Sequence, residues 1–244
     1  MPFEQITLTL ADGRCAALLA RPATPRPGHP GVILYMDAFG LRPALGAMAE
    51  RLADNGYAVL VPDLYYRVAD HGAFDAKTAF QVEETRVRLR ALMAQTPPAL
   101  TEQDGPAFIA ALTEAGARGP LGAVGYCMGG GRAVVAAAAF PDRIAAAASF
   151  HGGNLATEAP DSPHLRAAAI TARLYVGSAG IDAGFPPDQS ARLAEALRSA
   201  EVDHIIENYA GMAHGWAVPD HRVHDRAGAA RHWTRLLTLF DECL

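Results

Sequence analysis

The stretch "LGAVGYCMGGGRAVVAAAAF" (121–140) decides how this chain folds. Its first six residues are apolar or small, without the alternation of a half-solvated strand, and suit a strand buried on both faces. Residues 128–140 are mostly small and apolar with no turn former beyond the leading glycines, which suits a helix packed closely on that strand. Between them Gly125-Tyr126-Cys127-Met128-Gly129 must reverse the chain. The same strand-then-helix phrasing recurs on both sides. "GVILYM" (31–36) precedes a helical pattern in "RPALGAMAERLADNGY" that stops at Asn55-Gly56, and "AVLVP" (58–62) follows. Beyond a loop over 63–76, helices are predicted over 76–95 and 101–115. The strand 144–150 comes after the quoted stretch. Next are a strand over 171–177, a helix over 188–200, a strand over 204–209 and a last helix over about 225–240. Alternating strands and helices predict an α/β fold with a mainly parallel sheet covered on both faces. At the start, "QITLTLADGRCAALLARP" alternates around Asp12-Gly13 and reads as a β-hairpin.

Bulk properties narrow the function. The 244 residues fit one α/β domain, with 50% hydrophobic residues for a core and 19% charged. A net charge of −5 leaves no basic surplus to neutralise phosphates, so neither nucleic acid nor an anionic membrane is the expected partner. The opening "MPFEQITLTLADGR" lacks the basic and apolar blocks of a signal segment. The apolar run 133–140 is far shorter than the roughly 20 residues of a membrane span. Cys15, Cys127 and Cys243 are too few and too scattered for a disulfide framework, and a cytoplasmic setting with free thiols is expected. No H-x-x-x-H or clustered Cys/His spacing suggests a metal, and no cofactor is expected.

The pentapeptide at 125–129 matches G-x-nucleophile-x-G, the sharp strand-to-helix turn of α/β-hydrolase folds, with cysteine in place of the commoner serine. Glycines flank the nucleophile because the helix must approach the strand so closely that a Cβ would collide. The helix start behind Cys127 offers unpaired N–H groups and a positive dipole end, which favour thiolate over thiol. The Met128 N–H points at the oxygen of a carbonyl bound at Cys127. A buried packing cysteine is the plain alternative.

Such a nucleophile needs a base and a group to orient it, in the order nucleophile, acid, histidine. Of the seven histidines after Cys127, His214 sits in "YAGMAHGWAVPDH", past the last strand and before the last helix, where the fold places its base. Asp182, in the glycine-rich loop of "LYVGSAGIDAGFPPDQ", is the candidate acid, and Asp188 is its rival unless it simply caps the following helix. "YMDAFG" (35–40) follows an early strand and offers the Ala38 N–H as second oxyanion donor. Asp37 beside it is a candidate modulator of the thiol, since a nearby carboxylate opposes thiolate formation.

With these positions in hand, the chain resembles the dienelactone hydrolase (carboxymethylenebutenolidase) family of α/β-hydrolases. The likeness rests on "GVILYMDAFG", "GYAVLVPDLYYR", "GAVGYCMGGG", "IDAGFPP" and "AGMAHGWAVP". It implies a Cys127-Asp182-His214 triad with Ala38 and Met128 amides as the oxyanion hole. It also implies that Asp37 occupies the slot of a family glutamate that contacts the cysteine, one methylene shorter. A family arginine four residues after the histidine is replaced here by Val218, whereas Arg67 in "DLYYR" matches another and is a candidate anion contact. Its bland alternative is a structural arginine. Tyr66, Phe39 and Trp216 are candidate pocket linings. The implied activity is hydrolysis of a small ester or lactone through a thioester, by a monomer or small homo-oligomer. A broad carboxylesterase and a non-catalytic redox or binding protein on the same fold are the alternatives.

Overall fold

Hydrophobic runs with β-branched residues supply the middle of the sheet, and the computed structural model describes residues 3–72 and 74–244. The chain opens with β1 (Glu4–Leu10), β2 (Gly13–Ala20), β3 (Gly31–Tyr35), α1 (Pro43–Asp54) and β4 (Ala58–Pro62). It continues through α2 (Glu83–Ala94), α3 (Leu100–Glu114), β5 (Leu121–Tyr126), α4 (Met128–Ala139) and β6 (Ile144–Phe150). After a 3-10 helix over Pro163–Ala169 come β7 (Arg173–Ile181), α5 (Pro187–Ser199), β8 (His204–Ala213) and α6 (Arg226–Cys243). Eight strands form one sheet in the order β1-β2-β4-β3-β5-β6-β7-β8. The first two pair antiparallel as the expected hairpin, β2 lies antiparallel to β4, and β4 through β8 run parallel. This is the α/β-hydrolase architecture the sequence leads one to expect.

Strands β3, β4 and β5 are buried along their whole length, as residues covered on both faces must be. Alternation in β6 shows how the two faces are divided. Ser149 faces α4, where a Cβ on Gly130 would meet its hydroxyl, while Phe150 turns the other way, with its ring centroid 4.2 Å from that of His232 on α6. Helix α1 shares the second face with α6, joined where Arg51 lies over the Trp233 ring. Among the described residues no helix is long and apolar enough to cross a membrane.

Three segments depart from the sequence reading. The helix expected over 76–95 begins only at Glu83. Upstream, Asp75 closes a turn by accepting from the Lys77 N–H at 2.8 Å and the Thr78 hydroxyl at 3.2 Å, which competes with helix formation. Strands β7 and β8 run four residues further than expected, to Ile181 and Ala213, past a register shift between Ala179 and Ile181. A glycine in each extension (Gly180, Gly211) disguises these residues as loop. Pro106 lies inside α3 without ending it.

Candidate active site

The parallel strands end on one edge of the sheet, the edge on which α/β folds carry their sites. Cys127 takes the single step between β5 and α4 with φ 57° and ψ −120°, a strained conformation for any residue with a side chain. Close approach explains the flanking glycines. A Cβ on Gly125 would stand 1.8 Å from the Gly129 carbonyl oxygen, and one on Gly129 would stand 2.4 Å from that of Tyr35. The strained backbone is held by its own N–H, shared between the Phe150 carbonyl at 3.2 Å and His151 Nδ1 at 3.1 Å. Met128 opens α4, so its N–H belongs to the first turn, where the helix supplies no acceptor.

Strand register delivers the next two groups. Ile181 and Ala213 are direct partners in the β7–β8 ladder, and the residue after each is Asp182 and His214. His214 Nδ1 lies 2.7 Å from Asp182 Oδ2, and Asp182 Oδ1 accepts from the Gly184 N–H at 2.7 Å. With Nδ1 donating to the carboxylate, Nε2 is the nitrogen left for a thiol. Burial opposes charge on the His214 ring. The electrostatic attraction of Cys127 and hydrogen bonds with Asp182 and Cys127 outweigh it and push the pKa of the ring up to about 10. Cys127, Asp182 and His214 line one cavity of about 670 Å³. Asp188 stands elsewhere, exposed in the first turn of α5.

Ala38 is buried beside this edge. Its carbonyl accepts from the Tyr65 hydroxyl at 2.9 Å, and the same hydroxyl lies 3.2 Å from Met128 Sδ. One side chain thus touches both residues expected to hold an oxyanion. Asp37 is fully buried, and its carboxylate takes Arg42 Nη1 at 2.6 Å, Arg42 Nη2 at 2.7 Å, the Phe39 N–H at 3.1 Å and His221 Nε2 at 3.3 Å.

The four expected pocket residues are occupied otherwise, and none is among the described residues lining the cavity. Arg67 pairs with Asp12 at 2.7 Å and with both oxygens of Asp104, at 2.7 and 2.9 Å, pinning the β1–β2 turn to α3. Tyr66 gives its hydroxyl to Asp104 at 2.9 Å. Phe39 is buried edge-on to Phe80 and His221, and Trp216 is buried against Tyr209 and His151.

Other residues fill the places those leave. Arg132 on α4 and Arg90 on α2 line the cavity beside Phe80 and Met93. Arg132 is 3% exposed, and its guanidinium donates to the carbonyls of Thr96 and Pro97 and to the Thr101 hydroxyl at 3.3 Å. No carboxylate pairs with it among the described residues, and burial pushes its pKa down to about 10. A lone arginine in an alanine-rich helix was a legible signal. His151 is fully buried, neutral because burial disfavours its charge, and its ring centroid is 5.1 Å from that of His214. Only the strand pairing of Phe150 with Tyr126 brings it next to Cys127, and spacing along the chain does not reveal that.

The chain as a whole is similar to known proteins. The sequence profile of the Dienelactone hydrolase family matches residues 15–244. The chain is 28% identical over 240 residues to a Synechocystis sp. protein proposed to be a carboxymethylenebutenolidase, covering 96% of this chain and 94% of that one. It is 26% identical over 220 residues to a carboxymethylenebutenolidase of Rhodococcus opacus, covering 87% and 81% respectively. A proposed dienelactone hydrolase from Klebsiella pneumoniae subsp. pneumoniae has the same fold, with a TM-score of 0.84 over 98% of each chain at 22% identity. A match that runs from the hairpin to the last residue is a property of the whole fold, so this chain belongs to the dienelactone hydrolase family and is a hydrolase.

Proposed function

We propose that the protein cleaves small carboxylate-bearing esters or lactones through a cysteine nucleophile. The observation that carries the reading is the 2.7 Å contact from His214 Nδ1 to Asp182, which leaves Nε2 for the sulfur of a strained strand-to-helix turn. His214 takes the thiol proton, and the thiolate attacks the substrate carbonyl. The Ala38 and Met128 amides stabilise the oxyanion, a contribution worth about 2.7–4 kcal/mol per donor in related chemistry. The imidazolium then gives its proton to the leaving alcohol or enol oxygen as the thioester forms. Acylation removes the negative sulfur, the strongest influence favouring charge on His214. The neutral ring can therefore take a proton from water, which attacks the thioester and releases the acid, and the proton returns to sulfur.

Arg132 supports an anionic substrate. A buried guanidinium bonded to neutral carbonyls, with no carboxylate paired to it among the described residues, favours an anion in the cavity it lines. The cavity of about 670 Å³ suits a small molecule.

Turnover of p-nitrophenyl acetate and of a carboxylate-bearing aryl ester tests both parts. Cys127→Ala is expected to abolish both, and an acyl adduct on Cys127 is expected by mass spectrometry after a rapid quench. Full turnover by pure Cys127→Ala would reject the nucleophile. Arg132→Met is expected to raise KM for the anionic ester about 10- to 100-fold, the worth of a charged hydrogen bond, while sparing the neutral ester.

A further inference from the structure

We infer that Asp37 is a positioning residue for the oxyanion site, clamped by Arg42 and His221, and does not gate the thiol. The inference rests on the reading of Cys127 as nucleophile given above. A carboxylate has about four lone-pair sites. Here four donors fill them: two guanidinium nitrogens of Arg42, the Phe39 N–H and His221 Nε2. None is left to accept a hydrogen bond from a thiol.

What those contacts do is fix a peptide. Asp37 Oδ1 accepts from the amide two residues on, which closes an Asx turn with Ala38 at its centre and leaves the Ala38 N–H outside the turn. The Tyr65 hydroxyl holds the Ala38 carbonyl from the other side. Arg42 extends the arrangement. Its Nε and Nη2 donate to Asp220 at 2.6 and 2.9 Å, and Nη1 reaches the Gly40 carbonyl at 3.3 Å. One guanidinium thus joins the segment carrying Ala38 to the segment that follows His214, and His221 on that second segment returns to Asp37. The oxyanion donor and the base are held at a set separation by a buried ionic cluster, a role in which a one-methylene-shorter side chain folds back on its own loop.

A gate and a clamp differ in what they change. Removing a gate moves the pH dependence of the thiol, whereas removing a clamp lowers kcat and leaves the thiol alone. The experiment measures kcat and KM for p-nitrophenyl acetate, and the rate of Cys127 alkylation by iodoacetamide from pH 5 to 10, in wild type, Asp37→Asn, Asp37→Ala and Arg42→Lys. Arg42→Lys keeps the charge and loses the paired geometry, and it reports on the clamp if the Asp37 variants fail to fold. The clamp predicts a kcat loss of about 100-fold in Asp37→Ala, in the range of one lost oxyanion donor. Arg42→Lys should show a smaller loss in the same direction, with KM within about threefold and the alkylation midpoint unmoved. A midpoint shifted by a pH unit or more in Asp37→Asn, or an unchanged kcat in folded Asp37→Ala, overturns it. Full turnover by Cys127→Ala would instead remove the nucleophile reading beneath it. An inactive Cys127→Ala combined with a shifted Asp37→Asn midpoint overturns the clamp alone.

Discussion

Replacing Gly129 by alanine tests whether close packing at the turn builds the active site. An added Cβ would stand 2.4 Å from the Tyr35 carbonyl oxygen and 2.5 Å from that of Met36, where real Cβ contacts do not fall below 3.0 Å. The shortfall of about 0.6 Å faces backbone on one side and helix on the other, so no flexible side chain can yield. The end of β3, which leads into the turn carrying Ala38, and the helix start carrying Met128 must therefore part. Overpacking of this kind costs about 1–3 kcal/mol, and for a chain of this size each kcal/mol lowers Tm by about 2–4 °C. The activity loss is expected to be larger, since an ångström of misplacement at a reacting centre costs about 100-fold. A loss of about 10- to 100-fold in kcat for p-nitrophenyl acetate is predicted. Gly131→Ala is the control for stability: its nearest contact would be an ordinary 3.7 Å, and alanine in a helix interior gains about 0.5–1 kcal/mol over glycine. Thermal denaturation and steady-state kinetics read both variants. A Gly129→Ala protein with wild-type Tm and kcat would refute the reasoning.

Further predictions follow from single contacts. In His214→Ala the sulfur loses its candidate proton acceptor, so iodoacetamide labelling of Cys127 at about pH 7 is expected to slow; an unchanged rate would mean that the two groups do not interact. His232 is buried and neutral on α6, its Nε2 accepting from the Tyr126 hydroxyl at 2.7 Å, and burial pushes its pKa down to about 3. The unfolded chain binds this proton near pH 6.5 and the folded one does not, so stability is full above about 6.5 and falls as pH drops toward 3. The slope from this group is at most about 1.4 kcal/mol per pH unit, and urea denaturation of His232→Gln against wild type at pH 7 and 5 should show it reduced. Tyr126→Phe strands the His232 nitrogen and is expected to cost about 1–3 kcal/mol in the same assay. Arg67→Ala is expected to lower Tm by freeing the hairpin turn from α3, while the ratio of kcat/KM for anionic and neutral esters stays constant.

The fold and the candidate reacting groups are encoded by residues close together in the sequence. Short apolar runs such as "GVILY" and "LGAVGY" suit strands covered on both faces, and their alternation with helices limits the sheet to a few arrangements. The turn around Cys127 needs its glycines within a pentapeptide, and Asp182 and His214 each sit one residue past a strand end. Tertiary structure alone decided what surrounds them. Arg67 has the look of an anion contact until Asp12 and Asp104 meet it from 55 and 37 residues away. Asp37 looks like a carboxylate with oxygens to spare until Arg42, His221 and the Phe39 amide donate to them. Arg132 and His151 become wall and support only when α4 and β6 are packed. Backbone conformation and strand ends depend on residues near in sequence. A charge is instead spent on whichever partner comes nearest in space, and that partner is chosen by packing across the whole chain.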